Sequence, residues 1–148
     1  MLYLKQDFSN VVLMSLKDRT TNSFYGVVTW SYLFNFTNDM SKESYTTIVV
    51  ITNDVVTYND ANDIIIKLRD KQTGAIDSNN GEIKLTPKGY WSYEVYEQNS
   101  LTNLDITDNS VIGKVESGKA FIYDGTDEVN YTQHKDTTNT TNYIYTKD

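Results

Sequence analysis

Aromatic and β-branched residues alternate with polar ones over residues 88–98, with the period of two that is typical of a β-strand. One predicted face carries Trp91, Tyr93, Val95 and Glu97. The other carries Tyr90, Ser92, Glu94, Tyr96 and Gln98. Both faces contain aromatic rings, so the pattern indicates a strand near the middle of a sheet.

A second alternating stretch covers residues 26–36 and places its large apolar side chains on one face. We predict that this face belongs to the hydrophobic core. The predicted core residues of the two stretches are Trp30, Tyr32, Phe34, Phe36, Tyr93 and Val95.

Shorter apolar runs of strand length recur along the chain, at 10–16, 45–51, 63–68, 82–85, 111–116 and 119–123. Asn80-Gly81 predicts a tight hairpin before the fourth of these strands, and Ser117-Gly118 predicts another within the last pair. The unbroken runs Ile48–Ile51 and Ile64–Ile66 predict strands buried on both faces. About eight strands at this spacing favour an all-β fold. The prediction is an antiparallel β-sandwich over 1–123, Ig-like or jelly-roll-like.

The composition of the chain argues against one class of binding partner, nucleic acids. The 148-residue chain contains 12 tyrosines and no cysteine, and its net charge is −7. An acidic protein without a basic stripe is a poor ligand for phosphate backbones, so we expect no direct nucleic-acid partner. The N-terminus does not have the pattern of a targeting signal, and no segment is apolar enough to span a membrane. We therefore expect a soluble protein that folds in a reducing cytoplasm without disulfides.

Residues 124–148 differ from the rest because they are rich in Thr and Asn and almost lack apolar side chains until Asn142–Thr146. We predict an extended C-terminal arm that adds a strand to a neighbouring sheet, with folding back onto its own edge strand as an equal alternative. Tyrosine suits surfaces that another protein covers. The predicted partner-binding residues are Tyr143, Ile144 and Tyr145, together with Tyr131 and Tyr3.

Candidate chemistry is sparse. His134 lies in the polar tail without a nucleophile or a second histidine, so neither a triad nor a metal site is predicted there. Two Asp/Asn clusters, around Asp60 and Asp105, resemble calcium ligand sets in composition only, and turn formation is the better interpretation. We predict no enzymatic activity, no metal and no cofactor.

Three segments carry a resemblance to a known group. They are the strand containing YEVYEQ (93–98) with the TNLD loop (102–105), the VESGKA segment (115–120) and the LFNFTND run (33–39). The strand, the loop and the VESGKA segment in this order, with the LFNFTND run upstream of them, resemble small virion structural proteins of tailed bacteriophages, of the crAss-like and related Bacteroidetes-phage type. The resemblance covers about residues 10–123 and leaves the tail outside.

The resemblance implies a non-enzymatic building block of the virion, assembled in the host cytoplasm. We expect an auxiliary or decoration protein on the capsid exterior that binds the major capsid protein or its own copies. A head–tail connector, neck or tail component is the alternative. A carbohydrate-binding β-sandwich module is the second alternative, with Trp30, Trp91 or exposed tyrosines stacking on sugar rings. It would need an exposed aromatic platform, and the alternation places Trp30 in the core and leaves only Trp91 open.

Overall fold

The computed structural model describes residues 1–16, 19–20, 29–52 and 64–126, with the side chains of residues 29, 30 and 52 outside the description. This part of the chain is almost entirely β-structure in two sheets, one of them curled as a half-barrel. The strands are β1 (Leu2–Lys5), β2 (Ser9–Met14), β3 (Thr29–Asn38), β4 (Ser44–Thr52), β5 (Ile64–Asp70), β6 (Glu82–Ile83), β7 (Gly89–Gln98) and β8 (Val111–Tyr123). A short 3-10 turn, Ser78–Asn80, precedes β6.

Sheet A contains five strands in the order β1-β8-β7-β3-β4, and sheet B contains three in the order β2-β5-β6. Four ladders are antiparallel: β2 with β5, β3 with β4, β3 with β7, and β7 with β8. β1 pairs with β8 and β6 pairs with β5 in parallel, so the expectation of purely antiparallel sheets is wrong for these two pairs.

The centre of sheet A is where the sequence pattern placed it. β7 pairs with β3 on one side and β8 on the other, which confirms the prediction of an inner strand. Large side chains from the inner faces of both sheets form one core cluster, because burying them removes their apolar surface from water. Five of the predicted core residues, all buried, belong to this cluster: Tyr32, Phe34, Phe36, Tyr93 and Val95. The side chain of the sixth, Trp30, lies outside the described residues.

The predicted hairpin at Ser117-Gly118 is wrong, because β8 runs without interruption through both residues. Gly118 pairs with Tyr93 of β7, and a Cβ on this glycine would lie only 2.9 Å from the Tyr93 ring. The glycine therefore gives the ring room to lie over β8, a packing role that the sequence does not distinguish from a turn.

The predicted tight hairpin at Asn80-Gly81 is also wrong. Asp77 caps the 3-10 turn by accepting from the Asn79 N–H, and only Gly81 of the pair has a positive φ, at 76°. The chain then leads into β6, which lies parallel to β5 instead of returning along it. A single left-handed glycine thus redirects the chain without forming a hairpin.

Burial on both faces, predicted for two strands, holds for one. In β4, Ile48 and Val49 point to opposite faces and both are buried. In β5, Ile64 and Ile66 are buried whereas Lys67 and Arg69 are exposed, so the strand alternates. β1 was not predicted, because a four-residue strand is too short for its alternation to stand out.

Candidate functional site

Three aromatic rings lie side by side on the outer face of sheet A. Tyr90 of β7 is in register with Phe121 of β8, which is in register with Tyr3 of β1. The ring centroids of Tyr90 and Phe121 are 4.9 Å apart, and those of Phe121 and Tyr3 are 6.4 Å apart. Tyr90 is 58% exposed and Tyr3 is 65% exposed, so this aromatic row, defined as Tyr90, Phe121 and Tyr3, faces solvent.

The other half of the same outer face is covered. The Ser31 hydroxyl on β3 donates to the Ser100 carbonyl at 2.6 Å, and the Thr46 hydroxyl on β4 donates to the Leu104 carbonyl at 3.0 Å. These bonds hold the 99–110 loop over β3 and β4, where Leu33 and Ile48 are fully buried outside the main core. The loop therefore shields the apolar side chains of one half and leaves the aromatic row bare.

A polar cluster borders the aromatic row. The Ser92 hydroxyl donates to Asp39 Oδ1 at 2.6 Å, and the Lys119 ammonium donates to Asp39 Oδ2 and to Ser92 Oγ, each at 2.8 Å. Hydrogen bonds from Lys119 and then from Ser92 hold the pKa of the Asp39 carboxyl below its usual value. An ammonium that donates to a carboxylate has no lone pair with which to activate the serine. The cluster supplies hydrogen-bonding groups and a balanced pair of charges.

A shallow groove of about 480 Å³ continues from this cluster across β3, β7 and β8. Its outward-facing polar side chains come from Thr37, Ser92, Glu94, Ser117 and Lys119. The Lys114 ammonium lies 3.1 Å from Glu94 Oε1, and the Tyr96 hydroxyl donates to Glu94 Oε2 at 2.9 Å. Burial first, and then the bond to Glu94, raise the pKa of Tyr96 to about 12.

A second depression lies beside β1 and β2. β1 and β2 are each the last strand of their sheet in the described part of the chain. At the turn joining them, Asn10 is hydrogen-bonded through its side chain to the backbone N–H and C=O of Lys5. Near their other ends is a cleft of about 260 Å³ lined by Leu2, Leu13, Met14, Ser15, Arg19, Tyr93 and Glu116.

The lining of this cleft includes an ion pair. The Arg19 guanidinium lies 2.6 Å from the Glu116 carboxylate. Burial, and secondarily the Glu116 charge, raise the pKa of Tyr93. Leu13 is 59% exposed, although leucine normally prefers the core. Within the described ranges, the cleft thus combines an accessible apolar side chain with two strands that are each the last of their sheet.

The structure describes one of the five predicted partner-binding residues. Tyr3 is exposed, at one end of the aromatic row. Tyr131, Tyr143, Ile144 and Tyr145 lie outside the described residues, so the predicted arm remains a prediction.

Trp91 does not form an open platform. Its side chain is fully buried, and its indole N–H donates to the Pro87 carbonyl at 3.0 Å. The expectation that Trp91 is exposed is therefore wrong, because its face of β7 is the inner one.

Sequence reasoning missed Tyr90 and Phe121 as site residues. The available signal was the alternation itself, which already placed Tyr90 opposite the Trp91 face. Finding the row also required the register of β7 on β8 and of β8 on β1, which the sequence does not state.

The acidic residues Asp105 and Asp108 stabilise turns within the 99–110 loop. Asp105 accepts from the Thr107 N–H, and Asp108 accepts from the Ser110 N–H, both at 2.8 Å. Within the described ranges no group of three His, Cys, Asp or Glu side chains is arranged to hold a metal ion. Asp60 and its neighbours lie outside those ranges.

No family model, curated protein or solved structure matches this chain. In the part of the chain that the structure describes, no helix is long and apolar enough to cross a membrane.

Proposed function

We propose that this chain is a non-enzymatic assembly protein that associates by accepting an extended segment at the cleft between β1 and β2. The observation that carries the proposal is the position of two strand edges beside one depression that Leu2, Leu13 and Met14 help to line. A strand entering there finds backbone groups to pair with and a place for an apolar side chain, the two requirements of β-augmentation.

The occupant we propose is the C-terminal segment of a second copy of this chain. Its Asn142–Thr146 stretch alternates in the manner of a strand and offers Tyr143, Ile144 and Tyr145 as anchors. The last residue that the structure describes is Thr126, shortly after the end of β8. The 22 residues beyond it can span roughly 70 Å if extended, which is enough to reach a neighbouring molecule.

We further propose that this assembly is part of a tailed-phage virion, with the two sheets packed as a β-sandwich. The support is the resemblance of the strand, loop and β8 segments described above. An auxiliary or decoration protein on the capsid exterior, bound to the major capsid protein or to its own copies, is the position we favour. A neck or tail component is the alternative. Both positions would rely on many weak contacts acting together, so the proposed mode of association fits either one.

The first test measures oligomeric state. Full-length chain, a variant lacking residues 137–148 and the Leu13→Glu variant are compared by light scattering after size exclusion across a range of concentrations. We expect both variants to remain folded by circular dichroism and to stay monomeric where the full chain associates, because one lacks the segment and the other places a charge in the cleft.

Met40→Glu is the matched control, since Met40 is 90% exposed and lies away from the cleft. Its association should equal that of the unmodified chain. Normal association of the truncated chain would contradict the proposed segment, and normal association of Leu13→Glu would contradict the cleft.

The second test locates the chain by electron cryomicroscopy of particles from the source phage. Copies on the capsid lattice would support the decoration role, and a single ring at the portal or tail would support the connector. Particles that lack the chain would overturn the virion proposal while leaving the assembly result intact.

A further inference from the structure

We propose that the aromatic row and the groove beside it form a binding site for a neutral oligosaccharide. The inference uses the outer face of β7, β8 and β1 and does not depend on the cleft between β1 and β2. The aromatic side chains of this site are those of the aromatic row, and the buried Trp91 is not one of them.

Ring exposure is the first argument. Tyr90 and Tyr3 are more than half exposed, while Phe121 between them is half-buried. The face of an aromatic ring carries partial negative charge and attracts the C–H groups on the apolar face of a sugar ring. The rings come from three adjacent strands, with centroids 4.9 Å and 6.4 Å apart and neighbouring ring planes inclined to each other by 59° and 62°. A chain of sugar units lying across the strands would meet them in succession.

The polar border is the second argument. Asp39, Ser92 and Lys119 present both donors and acceptors, which hydroxyl groups of a sugar need for orientation. The Asp39 carboxylate and the Lys119 ammonium are already paired, so neither sign of charge is in excess. This balance favours a neutral saccharide over an acidic one.

Size is the third argument. The three rings expose roughly 300 Å² together, whereas a standard protein interface needs about 800 Å² on each partner. The groove of about 480 Å³ that continues from the polar cluster has the size of a small-molecule site. A short oligosaccharide therefore fits this surface better than a protein does.

The contrast within one sheet face is the fourth argument. The loop 99–110 covers the outward apolar residues Leu33 and Ile48, so this fold has the means to shield such side chains. It leaves Tyr90 and Tyr3 uncovered. Exposed aromatic side chains grouped in this way are typical of binding surfaces.

The test uses affinity electrophoresis of the full chain in gels containing soluble glucan, mannan or xylan, followed by calorimetry with cellohexaose, mannohexaose and xylohexaose. We expect retardation by at least one polysaccharide. The Tyr90→Ala and Tyr3→Ala variants should each weaken the corresponding hexasaccharide by tenfold or more, and Lys119→Met should weaken it without removing a ring.

Phe8→Ala is the control, because Phe8 is an exposed aromatic residue, 55% accessible, in the turn between β1 and β2 and outside the row. Its affinity should equal that of the unmodified chain, and all variants should keep the same melting temperature within a few degrees. Absence of binding to every polysaccharide and hexasaccharide overturns the proposal. Sugar binding that survives both tyrosine substitutions overturns it as well. So does a result in which the tyrosine variants lose self-association and the unmodified chain binds no sugar.

Discussion

Asp70 is a buried carboxylate at the end of β5, and changing it to asparagine is expected to lower the free energy of unfolding by about 2 kcal/mol at pH 7. The side chain is 2% exposed. Its Oδ1 accepts from the Asp7 N–H at 3.1 Å and from the Gln72 side-chain amide, and its Oδ2 accepts from the Leu85 N–H at 3.0 Å. One carboxylate thus ties the β1–β2 turn, the end of β5 and the segment after β6.

The magnitude follows from the mismatch that asparagine introduces. All three neighbours of the Asp70 carboxylate are donors, and an amide can offer an accepting oxygen at only one of the two positions. If the oxygen stays near Asp7 and Gln72, the new NH₂ group faces the Leu85 N–H. That buried donor is then unsatisfied, which costs about 1–3 kcal/mol. The reverse orientation leaves two donors without an acceptor and costs more.

The effect depends on pH with a defined sign. Burial raises the pKa of Asp70 above its usual 3.8, and the hydrogen bonds from Gln72, Leu85 and Asp7 only partly oppose this. The folded state therefore holds the Asp70 proton more tightly than the unfolded state does. The stability that this proton contributes is fully present below pH 3.8 and is lost as the pH rises through the raised value. Because asparagine does not titrate, the difference in free energy of unfolding between the two proteins should be larger at about pH 4 than at pH 7.

The assay is urea unfolding followed by tryptophan fluorescence at both pH values, with the midpoint and slope fitted for each protein. Asp108→Asn is the control, because Asp108 is exposed and an amide oxygen can still accept from the Ser110 N–H. Its stability at pH 7 should change by less than about 0.5 kcal/mol. An Asp70→Asn protein as stable as the original at pH 7, or a difference that widens with rising pH, would refute the reasoning.

Three further substitutions test packing, each by chemical denaturation. Tyr93→Ala should cost about 3 kcal/mol, because it empties a buried site in the core; retention of the original midpoint would place the ring outside it. Trp91→Phe should cost about 2 kcal/mol, since the smaller ring leaves space at a fully buried position and the indole hydrogen bond to the Pro87 carbonyl is lost. Gly81→Ala should cost more than about 1 kcal/mol, because φ is 76° and the new Cβ would lie 2.8 Å from a backbone carbonyl of β5. Gly113→Ala is its control, with open space around the position, and an equal loss in both would contradict the steric explanation.

Alternation was enough to predict that β7 is an inner strand and to predict the core faces of β3 and β7. Tyr32, Phe34 and Phe36 are buried as the period-two pattern requires, and β7 lies between two partners. Such predictions succeed because the direction of each side chain in a strand depends only on its parity.

The turns failed for a different physical reason. Gly81 and Gly118 were both interpreted as turn residues, since glycine favours positive φ and tight bends. Only Gly81 uses that freedom, and it does so in a connection to a parallel strand. Gly118 is used for the space above it, which the Tyr93 ring fills from the adjacent strand. A local sequence gives the permitted conformations of a glycine, but the partner across the ladder decides between them.

The aromatic row could not be predicted from the sequence for a similar reason. Tyr90, Phe121 and Tyr3 are far apart in sequence and become one row only through two ladders, one of them the parallel pairing of β1 with β8. A parallel partner cannot be inferred from a neighbouring turn, because no short connection joins the two strands.

The parallel pairing of β1 also connects the two surfaces proposed here. Through Tyr3, β1 extends the aromatic row by one ring on its outer face. Through Leu2, the same strand lines the cleft beside β2. Successive side chains of a strand point to opposite faces, so one short strand serves both surfaces without either contact obstructing the other. Removing β1 should therefore impair both sugar binding and self-association, whereas Tyr3→Ala should impair only the first. Measuring both properties in these two variants would show whether the surfaces are as independent as their geometry requires.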